Sequence, residues 1–353
     1  MTNHYHKNQF KSYKSVIKIL FIIVICIGFS SCSKSNKKKL VVYSPHGKEM
    51  LSEFEKQFEA KNPDIDVQWL DMGSQEIIDR VKTEKDNPQA DIWWGAPATL
   101  FMRADKLGLL EKYTPTWSSN IAANHKGKND TWYGTFLTPE VISFNNKVLN
   151  NTTAPQDWAD LVQPEWKDKI VLRAPMASGT LRVIFAAMIS MSVKANGSED
   201  KGWEWLRGLD RNTKDYSSDP TQMYLKLAGN DEPVTLWNMP DIILQANSYQ
   251  YPFGYLFPKS GTVVLTDGIA LVKGSKNSEE AKKFYEFVTS PEAMKLQAEK
   301  FYRIPARTDI PKESLPEWIK KADYKELELD WEVISEKEAD WMKKWDAEIK
   351  GKK

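Results

Sequence analysis

Cysteine is almost absent from this sequence of 353 residues, which contains only Cys26 and Cys32. Residues 33–353 therefore have no thiol for a disulfide bond, for nucleophilic catalysis or for a zinc cluster. Cysteine usage consequently gives no information on the redox compartment. Histidine is scarce as well, because only His46 and His125 lie beyond the apolar N-terminal segment.

Short catalytic motifs are also missing. Residues 171–180 do not match Gly-x-Ser-x-Gly, and the sequence has no His-Glu-x-x-His, no Gly-x-x-x-x-Gly-Lys-Ser/Thr and no Cys/His metal cluster. Neighbouring carboxylates such as Asp64 and Asp66 are typical of solvated faces. We therefore expect no enzymatic activity, no cofactor and no bound metal. A carboxylate-based hydrolase is the enzyme alternative.

The sequence lacks an excess of charge of either sign. The formal net charge is +1, and the four lysines of residues 1–31 are the only charged side chains there, so residues 32–353 carry about −3. This balance argues against nucleic acid as a partner. We interpret the basic run at residues 37–39 as a solvated tether rather than a specific lipid site.

The apolar run at residues 19–29 is too short to cross a bilayer, but it is typical of a signal-peptide core. The following Phe-Ser-Ser-Cys, at residues 29–32, resembles a bacterial lipobox, in which the cysteine is lipidated. We expect residues 1–31 to be a lipoprotein signal peptide, and residues 32–38 to be the lipidated Cys32 and a tether. The protein would then be lipid-anchored to a membrane in the periplasm or at the cell surface. An ordinary signal peptide cut nearby and an uncleaved anchor are the alternatives.

Strand and helix patterns alternate from residue 40 onward, which implies a parallel α/β sheet. Strands are predicted at residues 40–43, 65–69, 91–94, 170–172, 233–237, 261–265 and 268–272. Helices are predicted to begin near residues 47, 74, 97 and 178. Two strands that cross between halves of the protein are predicted around residues 135–144 and 255–271. The tail from residue 279 is predicted to be helical, with four docking tryptophans, Trp318, Trp331, Trp341 and Trp345.

Five segments carry a family resemblance through their joint order. They are Val-Tyr-Ser-Pro-His at residues 42–46, Ala-Asp-Ile-Trp-Trp-Gly-Ala-Pro at 90–97, Pro-Gln-Asp-Trp-Ala-Asp-Leu at 155–161, Ala-Ser-Gly-Thr at 177–180 and Thr-Asp-Gly-Ile-Ala at 266–270. In these the sequence resembles the iron(III)-type family of extracellular solute-binding proteins of bacterial ABC importers. That family includes importers of ferric ion, thiamine, phosphonates, phosphoglycerate and sugar phosphates. The resemblance covers roughly residues 39–310.

The resemblance implies a type II periplasmic-binding-protein fold, with two α/β lobes joined by a two-strand hinge and a ligand cleft between them. Lobe 1 would comprise residues 39–137 plus 262–353, and lobe 2 residues 138–261. The implied partners are a small anionic solute and an ABC permease in the cytoplasmic membrane, and we expect a monomer. A ferric iron-binding protein and a sensory solute-binding protein are the alternatives.

Ligands of open α/β sheets bind beyond the carboxyl ends of strands, where helix N-termini point. The Ser178-Gly179-Thr180 segment is the best anion site, because free helix amides meet two hydroxyl groups there. The ligand-binding residues predicted on this basis are Ser44, His46, Ser74, Trp94, Gly95, Ser178, Gly179, Thr180, Trp237, Asn238 and Asp241.

Several of these residues have a purely structural alternative. Ser44 and Ser74 could serve only as helix caps, and His46 could have no role. Trp93 and Trp94 could both lie in the core. Asp241 could cap a helix at residues 242–246.

The sequence departs from the ferric members of the family, which hold the metal with adjacent tyrosines. The corresponding residues 237–241 read Trp-Asn-Met-Pro-Asp, and the nearby Tyr216 and Tyr224 are separated. We therefore prefer a phosphorylated or phosphonate-bearing organic anion as the ligand.

Overall fold

The computed structural model describes residues 37–352. The predicted signal peptide at residues 1–31, the lipidation site Cys32 and most of the tether lie outside the described residues and stay predictions. Within residues 37–352, no helix is long and apolar enough to cross a membrane.

The described residues form eleven strands and eleven α-helices. The strands are β1 (Lys38–Ser44), β2 (Ile65–Asp71), β3 (Ile92–Pro97), β4 (Leu110–Glu111), β5 (Tyr133–Asn145), β6 (Ile170–Arg173), β7 (Thr213–Ser217), β8 (Val234–Asn238), β9 (Phe253–Leu256), β10 (Val264–Val272) and β11 (Ile304–Pro305). The helices are α1 (Lys48–Lys61), α2 (Ser74–Thr83), α3 (Ala98–Lys106), α4 (Gly179–Asn196), α5 (Asp200–Asn212), α6 (Pro220–Leu227), α7 (Met239–Ser248), α8 (Ser278–Val288), α9 (Pro291–Phe301), α10 (Glu317–Lys321) and α11 (Trp331–Glu348).

The strands form one mixed sheet in the order β2-β1-β3-β10-β5-β8-β6-β7, with β4 on β10 and with β9 and β11 on β5. The pairs β1–β3, β6–β7 and β6–β8 are parallel, as the alternating sequence predicts. β10 is antiparallel to both β3 and β5, and β5 is antiparallel to β8. The two antiparallel strands therefore join two parallel halves of the sheet.

β5 and β10 are the two predicted crossing strands. The first half of β5 pairs with β10 and β11, and its second half pairs with β8 and β9. The sequence predicts two strands at residues 261–265 and 268–272, but the structure has the single strand β10. A register shift between Asp267 and Gly268 lets the ladder continue through the polar Thr-Asp-Gly segment.

Three apolar clusters surround the sheet. One lies between the first half of the sheet and α1, whose Leu51, Phe54 and Phe58 form the predicted buried face. A second contains Ile77, Ile78 and Val81 of α2 together with residues of α3. The third contains most of the apolar side chains of residues 141–265.

The C-terminal helix α11 completes this third cluster. Trp341 and Trp345 are buried in it, and Trp318 and Trp331 pack against it, as predicted for docking residues. The Trp345 ring contacts the rings of Phe185 and Tyr216, with centroid distances of 5.4 Å and 5.3 Å. The lobe boundaries stay a prediction, although α11 packs with residues assigned to lobe 2.

A buried ion pair fixes α11 between two other helices. Arg182 of α4 donates from Nε to Glu338 of α11 at 2.6 Å, and both side chains are at most 4% exposed. Thr99 of α3 donates from its hydroxyl to the other oxygen of Glu338 at 3.1 Å. Glu338 therefore joins α3, α4 and α11 at one point.

Replacing Glu338 by alanine leaves the Arg182 guanidinium buried without its counter-charge. Loss of one member of a buried pair costs about 3–5 kcal/mol, so we expect Glu338→Ala to lower the free energy of unfolding by that amount in urea denaturation. Glu336→Ala is the matched control, because Glu336 pairs with Lys106 at the surface of the same helix. It should cost less than about 1 kcal/mol. Equal losses in the two variants would contradict this account.

Candidate ligand-binding site

A cavity of about 680 Å³ lies where β1, β3, β6 and β8 end. Its wall includes eight of the eleven predicted residues, namely His46, Ser74, Ser178, Gly179, Thr180, Trp237, Asn238 and Asp241. The other three, Ser44, Trp94 and Gly95, do not line it. The predicted position at the carboxyl ends of the strands therefore agrees with the location of this cavity.

The N-terminus of α4 forms one part of the wall. Ser178 is its N-cap, and its hydroxyl oxygen accepts from the backbone N–H of Leu181 at 3.2 Å. The amides of Gly179 and Thr180 precede the first complete helical turn and have no carbonyl partner within the helix. Arg173, at the end of β6, lines the same cavity, and its guanidinium donates to the backbone carbonyl of Ser217 at 3.2 Å. Free amides, a hydroxyl group and a guanidinium together suit an anion.

The N-terminus of α2 approaches α4 from the opposite side. A Cβ atom on Gly179 would lie 3.0 Å from Ser74 Oγ, and one on Gly73 would lie 3.1 Å from the carbonyl oxygen of Ala177. Glycine at both positions thus permits the two helix ends to meet. Because each end carries a partial positive charge, their convergence strengthens the attraction for an anion.

The His46 ring lies against Gly95, in the space where the sequence predicts that Gly95 approaches the ligand. Gly95 has a φ of +99°, and a Cβ atom there would lie 2.4 Å from the His46 imidazole. The same imidazole packs edge-on against Trp94 at a centroid distance of 5.2 Å. Gly95 and Trp94 therefore hold the histidine rather than line the cavity. Burial and the nearby Arg303 lower the pKa of His46 well below its ordinary value, so the ring is neutral.

Ser44 is fully buried at the end of β1. Its hydroxyl oxygen accepts from the backbone N–H of His46 at 3.2 Å, which shapes the turn that carries the histidine. The residue before α1 is Gly47, so Ser44 is not the cap of that helix. Ser74 lies one residue inside α2, after Gly73.

Asp241 is held by residues from both sides of the cavity. Asn238, the actual cap of α7, accepts from the Asp241 backbone N–H and donates its amide to the Asp241 carboxylate, both at 2.9 Å. The indole N–H of Trp237 donates to the same carboxylate oxygen at 3.3 Å. Arg303, which lies between α9 and β11, pairs with the other oxygen at 3.1 Å. Asp241 is therefore not the cap of this helix, and its carboxylate instead forms an ion pair with Arg303.

Two further hydrogen bonds link α7 and the residue that follows it to α1 and to the residue that follows α9. The Tyr249 hydroxyl donates to Glu49 of α1 at 2.9 Å. The Asn247 amide of α7 donates to the Tyr302 hydroxyl at 2.7 Å. With the pair of Arg303 and Asp241, they join the two sides of the cavity in this structure.

Several lining residues were not predicted from the sequence. They include Lys48, Thr138, Arg173, Tyr224, Tyr249, Tyr251, Asp267 and Arg303. Asp267 had a usable signal, because it lies in the Thr-Asp-Gly segment that carries the family resemblance. Arg303 had none, since it follows a charged helix far along the chain and reaches the site only by tertiary packing.

Two buried carboxyl groups lie on the crossing strands. Asp267 accepts from the Ala96 backbone N–H at 3.2 Å and from the Thr138 hydroxyl. Glu140 is fully buried, and neither of its carboxyl oxygens has a hydrogen-bond partner. Burial, with the negative charges of Asp267 and Asp241 nearby, raises the pKa of Glu140 well above its ordinary value.

The fold is that of the type II periplasmic binding proteins. Over 89% of this chain it superposes on the periplasmic binding protein P5PA (26% identity, TM-score 0.77, 100% of that chain) and on AfuA from Actinobacillus pleuropneumoniae, solved with fructose-6-phosphate (25% identity, TM-score 0.76, 99% of that chain). The ferric binding protein from Campylobacter jejuni is also similar, at 25% identity and a TM-score of 0.74 over 87% of this chain and 98% of that one.

The chain belongs to the family of bacterial extracellular solute-binding proteins, which it matches over residues 87–332. It is 26% identical to the probable ABC transporter periplasmic-binding protein y4fP of Sinorhizobium fredii, over 96% of this chain and 94% of that protein. It is also 26% identical to a putative 2-aminoethylphosphonate-binding periplasmic protein of Salmonella typhimurium, over 73% and 75% of the two chains. The predicted family and fold are confirmed, and both are those of binding proteins.

Replacing Glu140 by glutamine should change how stability depends on pH. The pKa of Glu140 is higher in the folded state than its ordinary value of about 4.5, so the protonated carboxyl group contributes fully to folding stability below about pH 4.5. This contribution is lost as pH rises toward the folded-state pKa. Because glutamine does not ionise, Glu140→Gln removes this pH-dependent loss of stability. Its unfolding free energy relative to wild type should therefore rise above pH 4.5 by up to about 1.4 kcal/mol per pH unit. Urea denaturation between pH 4 and 8 measures this, and a constant difference would contradict the assignment.

Proposed function

We propose that this protein captures a small organic anion, bearing a phosphate or phosphonate group, and delivers it to an ABC permease in the cytoplasmic membrane. The observation that carries the proposal is the convergence of the α2 and α4 N-termini at the wall of a cavity that Arg173 also lines. Helix amides and a guanidinium suit the several oxygens of such a group. The structures and relatives that resemble this chain include a periplasmic binding protein solved with fructose-6-phosphate and a putative 2-aminoethylphosphonate-binding protein.

The rest of the cavity favours a solute that also carries hydrogen-bond donors. Three cationic side chains line it, against five carboxylates, Glu49, Asp71, Asp219, Asp241 and Asp267. A bare inorganic anion would be repelled by this surplus. Hydroxyl or amine groups on the solute would donate to the carboxylates while the anionic group lies at the helix ends.

Capture would involve closure of two lobes about β5 and β10. The solute must bind the closed form more tightly than the open form, since closure is otherwise unexplained. The contacts of Tyr249 with Glu49 and of Arg303 with Asp241 lie where closing lobes would meet. We propose that a monomer in this closed form docks on the permease, with the lipid on Cys32 raising its local concentration there.

Native mass spectrometry of residues 33–353, followed by analysis of released ligand, tests the solute class. A phosphorylated or phosphonate compound is expected, and calorimetry with 2-aminoethylphosphonate and fructose 6-phosphate then measures affinity. Bound iron without an organic partner would instead support the ferric alternative, for which Tyr224, Tyr249 and Tyr251 of the wall offer phenol oxygens. Normal uptake in cells with a permease deletion would favour a sensory role.

Replacing Arg173 by methionine should weaken binding while it preserves the length of the side chain. Loss of a charge-assisted hydrogen bond costs about 1.5–3 kcal/mol, which corresponds to a Kd about tenfold to a hundredfold higher by calorimetry. Lys169→Met is the matched control, because Lys169 precedes β6 and does not line the cavity. An unchanged Kd in Arg173→Met would show that the anionic group of the solute does not bind at Arg173.

Replacing Cys32 by serine should abolish membrane attachment, because the proposed lipid is carried by its thiol. In cells fed radiolabelled fatty acid, the wild-type protein should carry label and sediment with membranes, whereas Cys32→Ser should do neither. Cys26→Ser is the control and should behave as wild type, since residue 26 would be removed with the signal peptide. Label retained in Cys32→Ser would refute lipidation at this position.

A further inference from the structure

One carboxyl group on the crossing strand β5 has no part in the binding of the anionic group. Glu140 is fully buried, and neither of its carboxyl oxygens has a hydrogen-bond partner among residues 37–352. Buried polar groups in proteins almost always have a partner. A buried acid without one in its own chain is therefore expected to serve a group from outside the chain, which is either a water molecule or part of the solute.

Glu140 lies directly behind the floor of the ligand cavity. Thr138 precedes it by two residues on β5, so the two side chains lie on the same face of the sheet. Asn238 of β8 pairs with Glu140 and shares this face. Both Thr138 and Asn238 line the cavity. The Glu140 carboxyl group therefore points toward the cavity, behind these two side chains.

The two carboxylates nearest to Glu140 are already engaged. Asp267 uses one oxygen for a backbone N–H and the other for the Thr138 hydroxyl. Asp241 uses one oxygen for neighbouring side-chain N–H groups and the other for Arg303. Glu140 is thus the member of this group that has both oxygens available for a new hydrogen bond.

The ligand cavity has a shortage of positive charge. Five carboxylates line it against three cationic side chains, Lys48, Arg173 and Arg303, and Arg303 is already paired with Asp241. The phosphate or phosphonate group of the solute would add further negative charge. A solute that also carries a cationic nitrogen offsets this excess.

Glu140 is suited to exchange its proton for such a cation. Burial and the negative charges of Asp267 on β10 and Asp241 on α7 raise the pKa of Glu140, so the carboxyl group keeps its proton well above pH 4.5. The side chain that faces it from β8, Asn238, is uncharged. A cation beside Glu140 has the opposite effect, because it stabilises the carboxylate.

An organic nitrogen fits this place better than a metal ion. Among residues 37–352, no three His, Cys, Asp or Glu side chains converge closely enough to hold a metal. Metal ions of the kind that oxygen ligands bind need several of them at about 2.0–2.6 Å. A protonated amine needs fewer partners, because each of its N–H groups donates its own hydrogen bond.

We propose that Glu140 accepts a hydrogen bond from a cationic nitrogen of the solute, so that the cavity selects zwitterionic compounds with the phosphoryl group at the helix ends and the nitrogen at the floor. The inference rests on the proposed function and narrows its solute class. Binding exchanges a cation for a proton: an ammonium N–H donates to the Glu140 carboxylate, and the carboxyl proton passes to the buffer. The opening of the lobes in the proposed function gives the solute access to this floor.

Two matched pairs of compounds test the cationic group. 2-Aminoethylphosphonate and 2-hydroxyethylphosphonate differ only in an amine or a hydroxyl group at the end of the chain. Glucosamine 6-phosphate and glucose 6-phosphate differ in the same way at one ring position. Calorimetry at pH 7 uses residues 33–353, which contain the compact unit 39–353. The amine compound of at least one pair should bind with a Kd about tenfold to a hundredfold lower than its hydroxyl partner, as a charge-assisted hydrogen bond requires.

The proton exchange gives a second readout, which needs no variant. The same titrations in PIPES, HEPES and tricine, whose ionisation enthalpies differ, count the protons released on binding. With the wild-type protein, the amine compound should release up to about one proton more than its hydroxyl partner. Equal proton release by the two compounds would contradict the exchange at Glu140.

Glu140→Gln preserves the size of the side chain but cannot ionise. It should raise the Kd of the amine compound about tenfold to a hundredfold, leave that of the hydroxyl compound nearly unchanged, and abolish the additional proton release. Glu232→Gln is the matched control. Glu232 is also buried, has a raised pKa and has one carboxyl oxygen without a partner in the described chain, but it lies before β8 begins, at the end opposite Asn238. It should change neither readout.

The failures are distinguishable. Equal or tighter binding of the hydroxyl compounds would overturn the cation site and leave the proposed function standing. An amine preference that survives in Glu140→Gln would also overturn it and assign Glu140 to a water molecule alone, and equal losses in Glu140→Gln and Glu232→Gln would do so by revealing a general effect on the fold. If no compound of either pair binds, the proposed solute class fails, and this inference fails with it.

Discussion

The antiparallel pairing of β5 with β10 is the constraint on which the rest of the structure depends. β5 contributes to both parallel halves of the sheet, and its pairing with β10 reaches from Tyr133 with Ile269 to Pro139 with Val264. The same two strands supply Thr138, Leu265 and Asp267 to the ligand cavity. The strands that connect the two halves of the sheet therefore also form part of the ligand cavity. Any change in the angle between these halves changes the shape of the cavity.

Much of the fold follows from local patterns that act over short distances. The spacing of Leu51, Phe54 and Phe58 predicts the buried face of α1 because a helix repeats about every 3.6 residues. Ser178 is predicted as a cap because its hydroxyl can accept from an amide three residues on, and the structure has this bond. Eight of the eleven predicted site residues line the cavity because they lie where strands end and helices begin, which local patterns also predict.

The remaining site residues depend on contacts that no local pattern specifies. Gly95 was expected to approach ligand, whereas its positive φ and missing Cβ make room for the His46 ring from another strand end. Arg303 and Tyr249 reach the cavity through the packing of elements distant in sequence, so neither has a signature of its own. Asp241 illustrates both cases, because its position in the first turn of α7 is local but its partner Arg303 is not.

The packing of α11 has a consequence for how the protein is made. Trp345 fills the space between Phe185 and Tyr216, and it is separated from them by well over a hundred residues of chain. The core around α4 therefore stays unfinished until residues 341–349 have left the ribosome. A nascent chain in this condition remains open to export in an extended form, which suits a member of an extracellular family, and it exposes apolar surface for chaperones to cover in the meantime.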